Sequence, residues 1–375
     1  MSQRGLRLGI VGGGTGGHVV PGLHMLAELQ RAEDLPELVD LVWFETGRAA
    51  ESAALARLEP LVAPLVPERV RLSIEPPSGG APSLPRLALH TPREVLRARR
   101  ALRAHQIDVV LGLGGFTLLP VVLAARSLGI PVVLLEINAV PGRAVAKLTP
   151  LATRVLHAWP RTVPAATGAK HVLTGPPLGP RFTAADTSAA PCPWRASLGL
   201  EAGAPLLAVL GGSQGALPLN RFIKEHAQDL ASRGIGIVHQ VGPGRLAEGA
   251  GELAGYQAVE FVEDVVGLLG AATVALSRAG ASTLAELAVL GVPSIVVPFA
   301  GAGGHQRLNA AELGDGVLLL EEQALVERGL TELVQRLSPE GASWRAEVRT
   351  VLRERVPRDA ARKVAAELAR FADSR

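Results

Sequence analysis

The chain is organised around one stretch, Ser277-Arg278-Ala279-Gly280-Ala281-Ser282-Thr283-Leu284-Ala285-Glu286. The apolar residues 273–276 before it predict a short buried strand, and the apolar residues after it keep helical spacing until Gly291. A turn of small residues therefore joins the carboxyl end of a strand to the start of a helix. Such a turn presents backbone N–H groups and the positive end of a helix dipole, which suits a phosphate. An ordinary capped helix fits the same pattern, so both interpretations stay open for this stretch alone.

The composition favours a two-domain α/β protein. A length of 375 residues is enough for two cores, and the chain is 48% hydrophobic with 42 glycines and 28 prolines. Apolar runs interrupted by glycine are typical of parallel sheets with tight strand–helix turns. The formal charge of +3 is too small to indicate nucleic acid, so we expect no nucleic-acid partner. The single cysteine, Cys192, excludes an intramolecular disulfide and a cysteine metal cluster, and no run approaches the roughly 20 apolar residues that span a bilayer.

Three further glycine-rich turns follow predicted strands. They are Gly12-Gly13-Gly14-Thr15-Gly16-Gly17-His18, Gly112-Leu113-Gly114-Gly115-Phe116 and Gly211-Gly212-Ser213-Gln214-Gly215-Ala216. The first has the G-x-G-x-x-G spacing of a dinucleotide-binding turn, with Glu45 as a candidate ribose acid. A nicotinamide-dependent oxidoreductase is therefore one hypothesis. His18 directly after the glycines, and a second glycine loop in the C-terminal half, argue against it.

Several segments between the strands carry weaker signals. Residues 62–80, rich in proline and glycine, predict an irregular surface segment. Residues 158–186 predict the connection between the domains and contain one predicted short strand at residues 171–174. Residues 183–193 predict a flexible insertion. Residues 91–105 predict a basic amphipathic helix, which fits either contact with anionic lipid or a solvated surface.

Four motifs then occur together in one order. They are Gly13-Gly14-Thr15-Gly16-Gly17-His18, Gly211-Gly212-Ser213-Gln214-Gly215-Ala216, Ser277-Arg278-Ala279-Gly280-Ala281 with Glu286, and Pro298-Phe299 with His305-Gln306 and Asn309-Ala310. In this combination the chain strongly resembles the MurG family, across about residues 6–355. That family comprises the UDP-N-acetylglucosamine:N-acetylmuramyl-pentapeptide pyrophosphoryl-undecaprenol N-acetylglucosamine transferases, which convert lipid I into lipid II in bacterial peptidoglycan synthesis.

The resemblance implies a GT-B fold, in which two Rossmann-like, doubly wound parallel-sheet α/β domains face a cleft. Residues 1–165 would form the acceptor- and membrane-facing domain, residues 166–355 the domain that binds UDP-N-acetylglucosamine (UDP-GlcNAc), and residues 356–375 a helix packed on the first domain. The implied activity is that of an inverting, UDP-GlcNAc-dependent hexosyltransferase of glycosyltransferase family 28 type. Its implied partners are UDP-GlcNAc, lipid I (undecaprenyl-pyrophosphoryl-MurNAc-pentapeptide) and the cytoplasmic face of the cell membrane, where it would be peripheral. A related GT-B enzyme with another lipid-linked acceptor is an alternative.

The resemblance also implies roles for particular residues. Ser213 would contact the donor diphosphate, Val262 the uracil through its backbone, and Glu286 the ribose. The rest of the donor pocket would consist of the helix start Ala281, Ser282, Thr283, Leu284 and Ala285 and of the sugar-binding residues His305, Gln306 and Asn309. On the acceptor side the family's pattern matches Thr15, Gly16, Gly17 and Asn138.

The chain departs from the family's pattern at three places. Leu135-Glu136-Ile137-Asn138 stands where the family usually has His-Glu-Gln-Asn. Residues 175–179 read Gly-Pro-Pro-Leu-Gly in place of Gly-Asn-Pro-x-Arg, which makes Arg181 the candidate for the missing arginine. Gly304 replaces an acidic residue before His-Gln. These departures concern the acceptor more than the donor.

The implied reaction needs a base for the attacking hydroxyl and stabilisation of the leaving diphosphate. His18 is the preferred base because histidine titrates near neutral pH, and Glu136 is the second candidate. The chain contains no Asp-x-Asp motif, so we expect no metal and no cofactor. Helix dipoles and Arg278 would neutralise the diphosphate instead.

The acceptor's lipid chain implies a membrane-facing patch. We expect this patch on the basic helix of residues 91–105, together with the apolar neighbours Phe116, Leu118 and Leu119. The family context favours membrane contact over a merely solvated helix face.

Overall fold

The computed structural model describes residues 5–13, 16–74, 84–165, 168–184, 193–201, 203–301 and 304–372. The chain divides into two compact units. The N-terminal unit comprises Met1–Pro180 and Arg358–Arg375, and the C-terminal unit comprises Arg181–Pro357. Each unit contains a parallel sheet with helices around it, which confirms the expected pair of Rossmann-like α/β domains.

The described part of the N-terminal unit holds a seven-stranded parallel sheet in the order β3-β2-β1-β4-β5-β6-β7. In chain order the strands are β1 (Leu6–Gly12), β2 (Leu38–Glu45), β3 (Glu68–Arg71), β4 (Val109–Gly114), β5 (Val132–Glu136), β6 (Arg154–His157) and β7 (His171–Leu173). Every residue of β4 and β5 is buried. Continuous apolar strands of this kind are expected where helices cover both faces of a sheet.

The helices of this unit include one that returns from the end of the chain. In chain order they are α1 (Gly16–Arg31), α2 (Ala49–Leu55), α3 (Leu58–Val62), α4 (Leu84–Ala104), α5 (Leu118–Ser127), α6 (Arg143–Leu148) and α15 (Ala360–Ala369). Helix α15 packs on α1, and Arg362 forms an ion pair with Asp34. Among the described helices, none combines the length and the apolar character needed to cross a bilayer.

Two short strands lie at the edges of this sheet. Strand β3 falls in the segment predicted to be irregular, whereas β7 confirms the short strand predicted at residues 171–174 and adds it to the N-terminal sheet. Each of these two strands lies at an edge of the sheet and has only one neighbouring strand, so few of its side chains are buried. Val70 is the one buried residue of β3, and β7 has none. The N-terminal unit therefore extends to Pro180, beyond the expected boundary at residue 165.

The C-terminal unit contains, within its described residues, a six-stranded parallel sheet in the order β10-β9-β8-β11-β12-β13. Its strands are β8 (Leu206–Leu210), β9 (Gly236–Gln240), β10 (Tyr256–Val259), β11 (Val274–Ser277), β12 (Ser294–Val296) and β13 (Leu318–Leu319). The other α-helices in the described part of the chain are α7 (Pro180–Thr183), α8 (Pro193–Ser197), α9 (Leu217–Ser232), α10 (Val265–Ala271), α11 (Ala281–Leu290), α12 (His305–Leu313), α13 (Glu322–Leu337) and α14 (Ala342–Arg355). Most of the predicted insertion, residues 185–192, lies outside the described residues.

Candidate functional site

Both sheets place chemically useful turns at the carboxyl ends of parallel strands. In the N-terminal unit, β1 ends at Gly12, β4 at Gly114 and β5 at Glu136. In the C-terminal unit, β8 leads into the turn of residues 211–216, and β11 leads through residues 278–280 into α11. Ligands of open parallel sheets bind at this edge, so each unit carries its own candidate site.

His18 lies in the first turn of α1, and a backbone carbonyl orients its imidazole. The Nδ1 atom is 3.1 Å from the carbonyl oxygen of Gly13. Because a carbonyl oxygen only accepts hydrogen bonds, Nδ1 carries the proton and donates it. In the neutral ring the lone pair is then on Nε2, which is the nitrogen able to take a proton from a substrate.

The imidazole of His18 packs against the end of β4. Gly114 has a φ of +119°, and a Cβ built on it would lie 3.1 Å from Nε2 and 3.2 Å from Cδ2 of His18. The missing side chain lets the ring lie against the backbone there. Sequence reasoning identified the glycine turn but not this role. The sequence held one signal for this contact: the glycine turns of residues 12–18 and 112–116 follow two strands that could be neighbours in a sheet.

Glu136 is buried at the end of β5, and both carboxylate oxygens accept hydrogen bonds. Oε1 accepts from the backbone N–H (2.9 Å) and from Nδ2 (3.1 Å) of Asn138, and Oε2 accepts from the N–H of Gly142 (2.7 Å). Burial raises the pKa of Glu136, while these hydrogen bonds and the nearby His18 oppose that shift. The carboxylate thus orders the segment that leads into α6.

The other acceptor-side residues have simpler positions. Thr15 lies outside the described residues, Gly16 begins α1, and Gly17 is exposed. Asn138 is partly exposed beside Glu136. The structure therefore places His18, Glu136 and Asn138 at one edge of the sheet.

In the C-terminal unit, the turn of residues 211–216 rests on the end of β9. The N–H of Gly215 donates to the carbonyl of Gly212 at 2.9 Å. Gly215 has a φ of +68°, and a Cβ there would lie 1.9 Å from the carbonyl oxygen of Val241, so only glycine fits. Ser213 is partly exposed on this turn, and its contact with a diphosphate stays a prediction.

Helix α11 begins with backbone donors that the helix itself does not use. Gly280 is the N-cap residue, and Leu284 is the first residue whose N–H bonds back to it. The N–H groups of Ala281, Ser282 and Thr283 therefore have no partner within the helix. The hydroxyl of Ser282 is buried and has no hydrogen-bond partner among the described residues. Leu284 and Ala285 are buried, and Glu286 is half-buried one turn further along.

The three candidate sugar-binding residues on α12 differ in their environments. Nδ1 of His305 is buried without a hydrogen-bond partner in the described part of the chain. Gln306 is partly exposed, and its Oε1 accepts from the N–H of Phe299 at 2.9 Å, which leaves its amide hydrogens for a ligand. Asn309 is buried, with Nδ2 3.4 Å from the carbonyl of Ala279. Asn309 therefore supports the turn before α11, and sugar contacts of all three residues stay predictions.

Comparison with known proteins covers both units. Residues 8–157 match the glycosyltransferase family 28 N-terminal domain, and residues 206–359 match the C-terminal domain of the same family. A relative from Synechococcus sp. (strain CC9902) is 37% identical over 84% of this chain and 83% of its own length, and one from Sorangium cellulosum (strain So ce56) is 35% identical over 97% and 88%. Both are named UDP-N-acetylglucosamine--N-acetylmuramyl-(pentapeptide) pyrophosphoryl-undecaprenol N-acetylglucosamine transferase.

One solved structure agrees with these relatives. The crystal structure of Acinetobacter baumannii MurG matches with a TM-score of 0.71 and 26% identity, covering 97% of this chain and 99% of that one. The chain belongs to the MurG family. This membership confirms the resemblance carried by the four sequence motifs.

The structure gives physical reasons for two departures from the MurG family's pattern. Ile137, which stands where the family usually has glutamine, is buried, and its carbonyl accepts from Nε1 of Trp159 at 2.9 Å. Gly304 is the N-cap residue of α12 with a φ of +73°, a conformation that an acidic side chain would strain. At the third departure, Nη2 of Arg181 pairs with Oδ1 of Asp264 at 2.8 Å, so its charge is already partnered.

The backbone N–H of Val262 and the side chain of Arg278 already have hydrogen-bond partners, which bears on their expected roles. The N–H of Val262 donates to Oε1 of Gln240 at 3.0 Å, so a backbone contact with uracil falls to its carbonyl oxygen. Nη1 of Arg278 donates to the carbonyls of Val297 (3.1 Å) and Pro298 (3.2 Å), and Nη2 pairs with Glu322 at 2.6 Å. Arg278 therefore ties the end of β11 to the chain after β12, and its charge is not free to neutralise a diphosphate.

The expected membrane patch is also corrected in part. Leu118 is fully buried, and Leu119 packs against the core of the N-terminal unit. Leu118 therefore cannot lie at a membrane surface, whereas Leu119 keeps part of its surface exposed, and its membrane contact stays a prediction. Phe116 is exposed, as a surface contact requires.

Proposed function

We propose that this chain is an inverting glycosyltransferase that moves N-acetylglucosamine from UDP-GlcNAc to the muramyl 4-hydroxyl of lipid I, forming lipid II. The observation that carries the proposal is the similarity over both units to relatives named for this transfer. The geometry of His18 supports it, because an imidazole with its lone pair on Nε2 at the edge of the sheet is suited to deprotonate a sugar hydroxyl.

In the proposed reaction, Nε2 of His18 takes the proton of the muramyl 4-hydroxyl as its oxygen attacks the anomeric carbon of the donor. The bond to UDP breaks on the opposite face, which gives a β-1,4 link with inversion. The carboxylate of Glu136 is held by Asn138 and Gly142 and places a negative charge near His18. We therefore assign the base to His18 and a positioning and electrostatic role to Glu136.

The donor is proposed to bind at the C-terminal unit. The unused N–H groups at the start of α11 and its helix dipole stabilise the leaving diphosphate, together with the turn that carries Ser213. Glu286 accepts from the ribose hydroxyls, and Gln306 with His305 contacts the sugar. We propose that this arrangement works without a metal ion.

We place the membrane contact of the acceptor domain on α4. Leu89 and Leu96 of this helix are 76% and 57% exposed, and their spacing of two helical turns puts them on one face. Arg93, Arg97 and Arg100 are exposed beside them. Apolar side chains flanked by arginines suit the boundary between acyl chains and anionic headgroups. This supports a peripheral position at the cytoplasmic face of the membrane.

Two measurements test the proposed function. Isothermal titration of the full chain should show binding of UDP-GlcNAc and none of NADH; binding of NADH alone would refute a transferase. Turnover of a lipid I analogue should proceed equally with and without EDTA. Donor binding without turnover of this acceptor would instead favour a related transferase with another lipid-linked acceptor, and loss of turnover in EDTA would contradict the metal-free donor site.

A further inference from the structure

Gln240, the last residue of β9, joins two separate segments of the C-terminal unit. Its side-chain Nε2 donates to the carbonyl of Gly212 at 2.9 Å, and its Oε1 accepts from the N–H of Val262 at 3.0 Å. The residue is 5% exposed. Because one partner only accepts and the other only donates, a single orientation of the amide satisfies both bonds.

The two partners belong to different parts of the proposed donor pocket. Gly212 precedes Ser213 in the turn assigned to the diphosphate, and its carbonyl also accepts the internal bond of that turn from Gly215. Val262 is assigned to the uracil and precedes Asp264, whose side chain caps α10 through the N–H of Gly267. One side chain therefore links the diphosphate end of the pocket to the base end.

A buried network holds the backbone on both sides of Gln240. Nδ2 of Asn220 donates to the carbonyl of Val241 (2.9 Å) and to Glu248 (2.7 Å), so Oδ1 of Asn220 faces His239 and accepts from its Nε2 at 3.0 Å. Nδ1 of His239 then accepts from the hydroxyl of Tyr256 at 3.0 Å. Burial lowers the pKa of His239 to about 4, which keeps the ring neutral as this pattern requires. The hydrogen bonds of its two neighbours, His239 and Val241, thus fix the position of the Gln240 backbone.

We propose that Gln240 is a positioning residue for the donor nucleotide, holding the diphosphate turn and the uracil-binding segment at a fixed separation before UDP arrives. The inference rests on the proposed function, because that function gives the two segments their ligand. Loss of the bridge leaves the buried N–H of Val262 unpaired and leaves the carbonyl of Gly212 with only its bond from Gly215, so the two segments then have to be aligned by the nucleotide itself.

Two substitutions separate this role from simple packing. Gln240→Met keeps the length of the side chain and removes both hydrogen bonds. Gln240→Glu keeps an acceptor for Val262 but sets a second carboxylate oxygen against the carbonyl of Gly212, so the bridge forms only when the carboxyl is protonated. Burial and that facing carbonyl both favour protonation, so the bridge returns as the pH falls.

The experiment is isothermal titration of the full chain with UDP, near pH 8 and near pH 6. We expect Gln240→Met to weaken UDP about tenfold at both pH values. We expect Gln240→Glu to be equally weak near pH 8 and to recover at least about fivefold near pH 6, while the native protein changes less than about twofold. Steady-state kinetics of Gln240→Met should show the loss in KM for UDP-GlcNAc, with KM for the acceptor unchanged and kcat largely retained.

Gln257→Met is the matched control. Gln257 lies on the neighbouring strand β10, and its Oε1 accepts from the hydroxyl of Ser197 away from both segments. This variant should bind UDP as the native chain does. Native-like UDP binding by Gln240→Met, or a Gln240→Glu variant with no recovery at low pH, would overturn the positioning role alone. Failure of the native chain to bind UDP would overturn the proposed function and this inference with it. If Gln240→Met does not fold, the pH comparison within Gln240→Glu still decides.

Discussion

Replacing Gly114 by alanine is expected to lower kcat without weakening the donor. The new Cβ would lie 3.1 Å from Nε2 and 3.2 Å from Cδ2 of His18, tighter than most Cβ contacts, so the ring or the turn has to shift by a few tenths of an ångström. The shift acts on the nitrogen that we propose as the base. The donor binds at the other unit in our proposal, so its affinity should not change.

The expected loss of kcat in Gly114→Ala follows from the known costs of misplacing and of removing a general base. A misplacement of about 1 Å costs on the order of 100-fold in rate, and loss of a general base costs about 100- to 10,000-fold. A smaller displacement of His18 should therefore reduce kcat about 10- to 100-fold, less than His18→Gln does. A φ of +119° also strains alanine, which should lower the free energy of unfolding by about 1–3 kcal/mol.

Gly129→Ala provides the control for that strain. Gly129 belongs to the same unit and has a φ of +71°, but a Cβ there would meet nothing within 4 Å. It should lose stability in thermal unfolding while keeping kcat in turnover of a lipid I analogue at saturating substrates. Native kcat in Gly114→Ala, or an equal loss of kcat in Gly129→Ala, would refute the assignment of His18 as the base held by this contact.

Three further predictions concern other parts of the molecule. Glu286→Ala should weaken UDP-GlcNAc by about 1–3 kcal/mol in isothermal titration, because ribose hydroxyls lose their acceptor; unchanged affinity would remove Glu286 from the pocket. His239 has a folded pKa of about 4, below its ordinary 6.5, so its contribution to stability is complete above pH 6.5 and is lost as the pH falls toward 4. The native protein should therefore lose about 2 kcal/mol through this residue between pH 7 and pH 5 in urea unfolding, and His239→Gln should show a correspondingly shallower pH dependence; equal slopes would contradict the sign. Leu89→Ser with Leu96→Ser should reduce co-sedimentation with anionic vesicles, whereas Val326→Ser, an equally exposed site on α13, should not; equal binding by all three proteins would place the membrane contact elsewhere.

Elements with strong local signals were predictable from the sequence. Strands β1, β4, β5 and β8 are apolar runs followed by glycine or polar turns, and the structure has strands there because buried parallel strands need apolar residues on both faces. The edge strand β3 carries almost no apolar pattern, since one side of it faces away from the sheet. Strand β7 was predicted as a strand, but its membership of the N-terminal sheet depends on neighbours distant in the chain, which periodicity does not reveal.

In the candidate site, too, local features were predictable from the sequence and long-range contacts were not. The glycine turns, His18, Glu136 and the start of α11 were identified because turn chemistry is local. The expected role of Arg278 was corrected because its partner, Glu322, lies far along the chain, and Leu118 was misplaced because only packing decides which face of α5 is buried. Gln240 gave one modest signal, a polar residue at the end of a buried strand.

The sequence by itself determined two glycine-turn α/β halves, the order of their motifs and, through that order, the family. These features follow from residue types at short spacing, which local backbone preferences and burial translate directly into strands, turns and helix starts. Only the tertiary structure decided which nitrogen of His18 carries the proton, that the charge of Arg278 is paired, and that Gln240 bridges two donor segments. Each of those facts depends on which hydrogen-bond partner the folded chain brings within about 3 to 4 Å of a side chain. The number of residues between two partners in the sequence does not determine whether the fold brings them together.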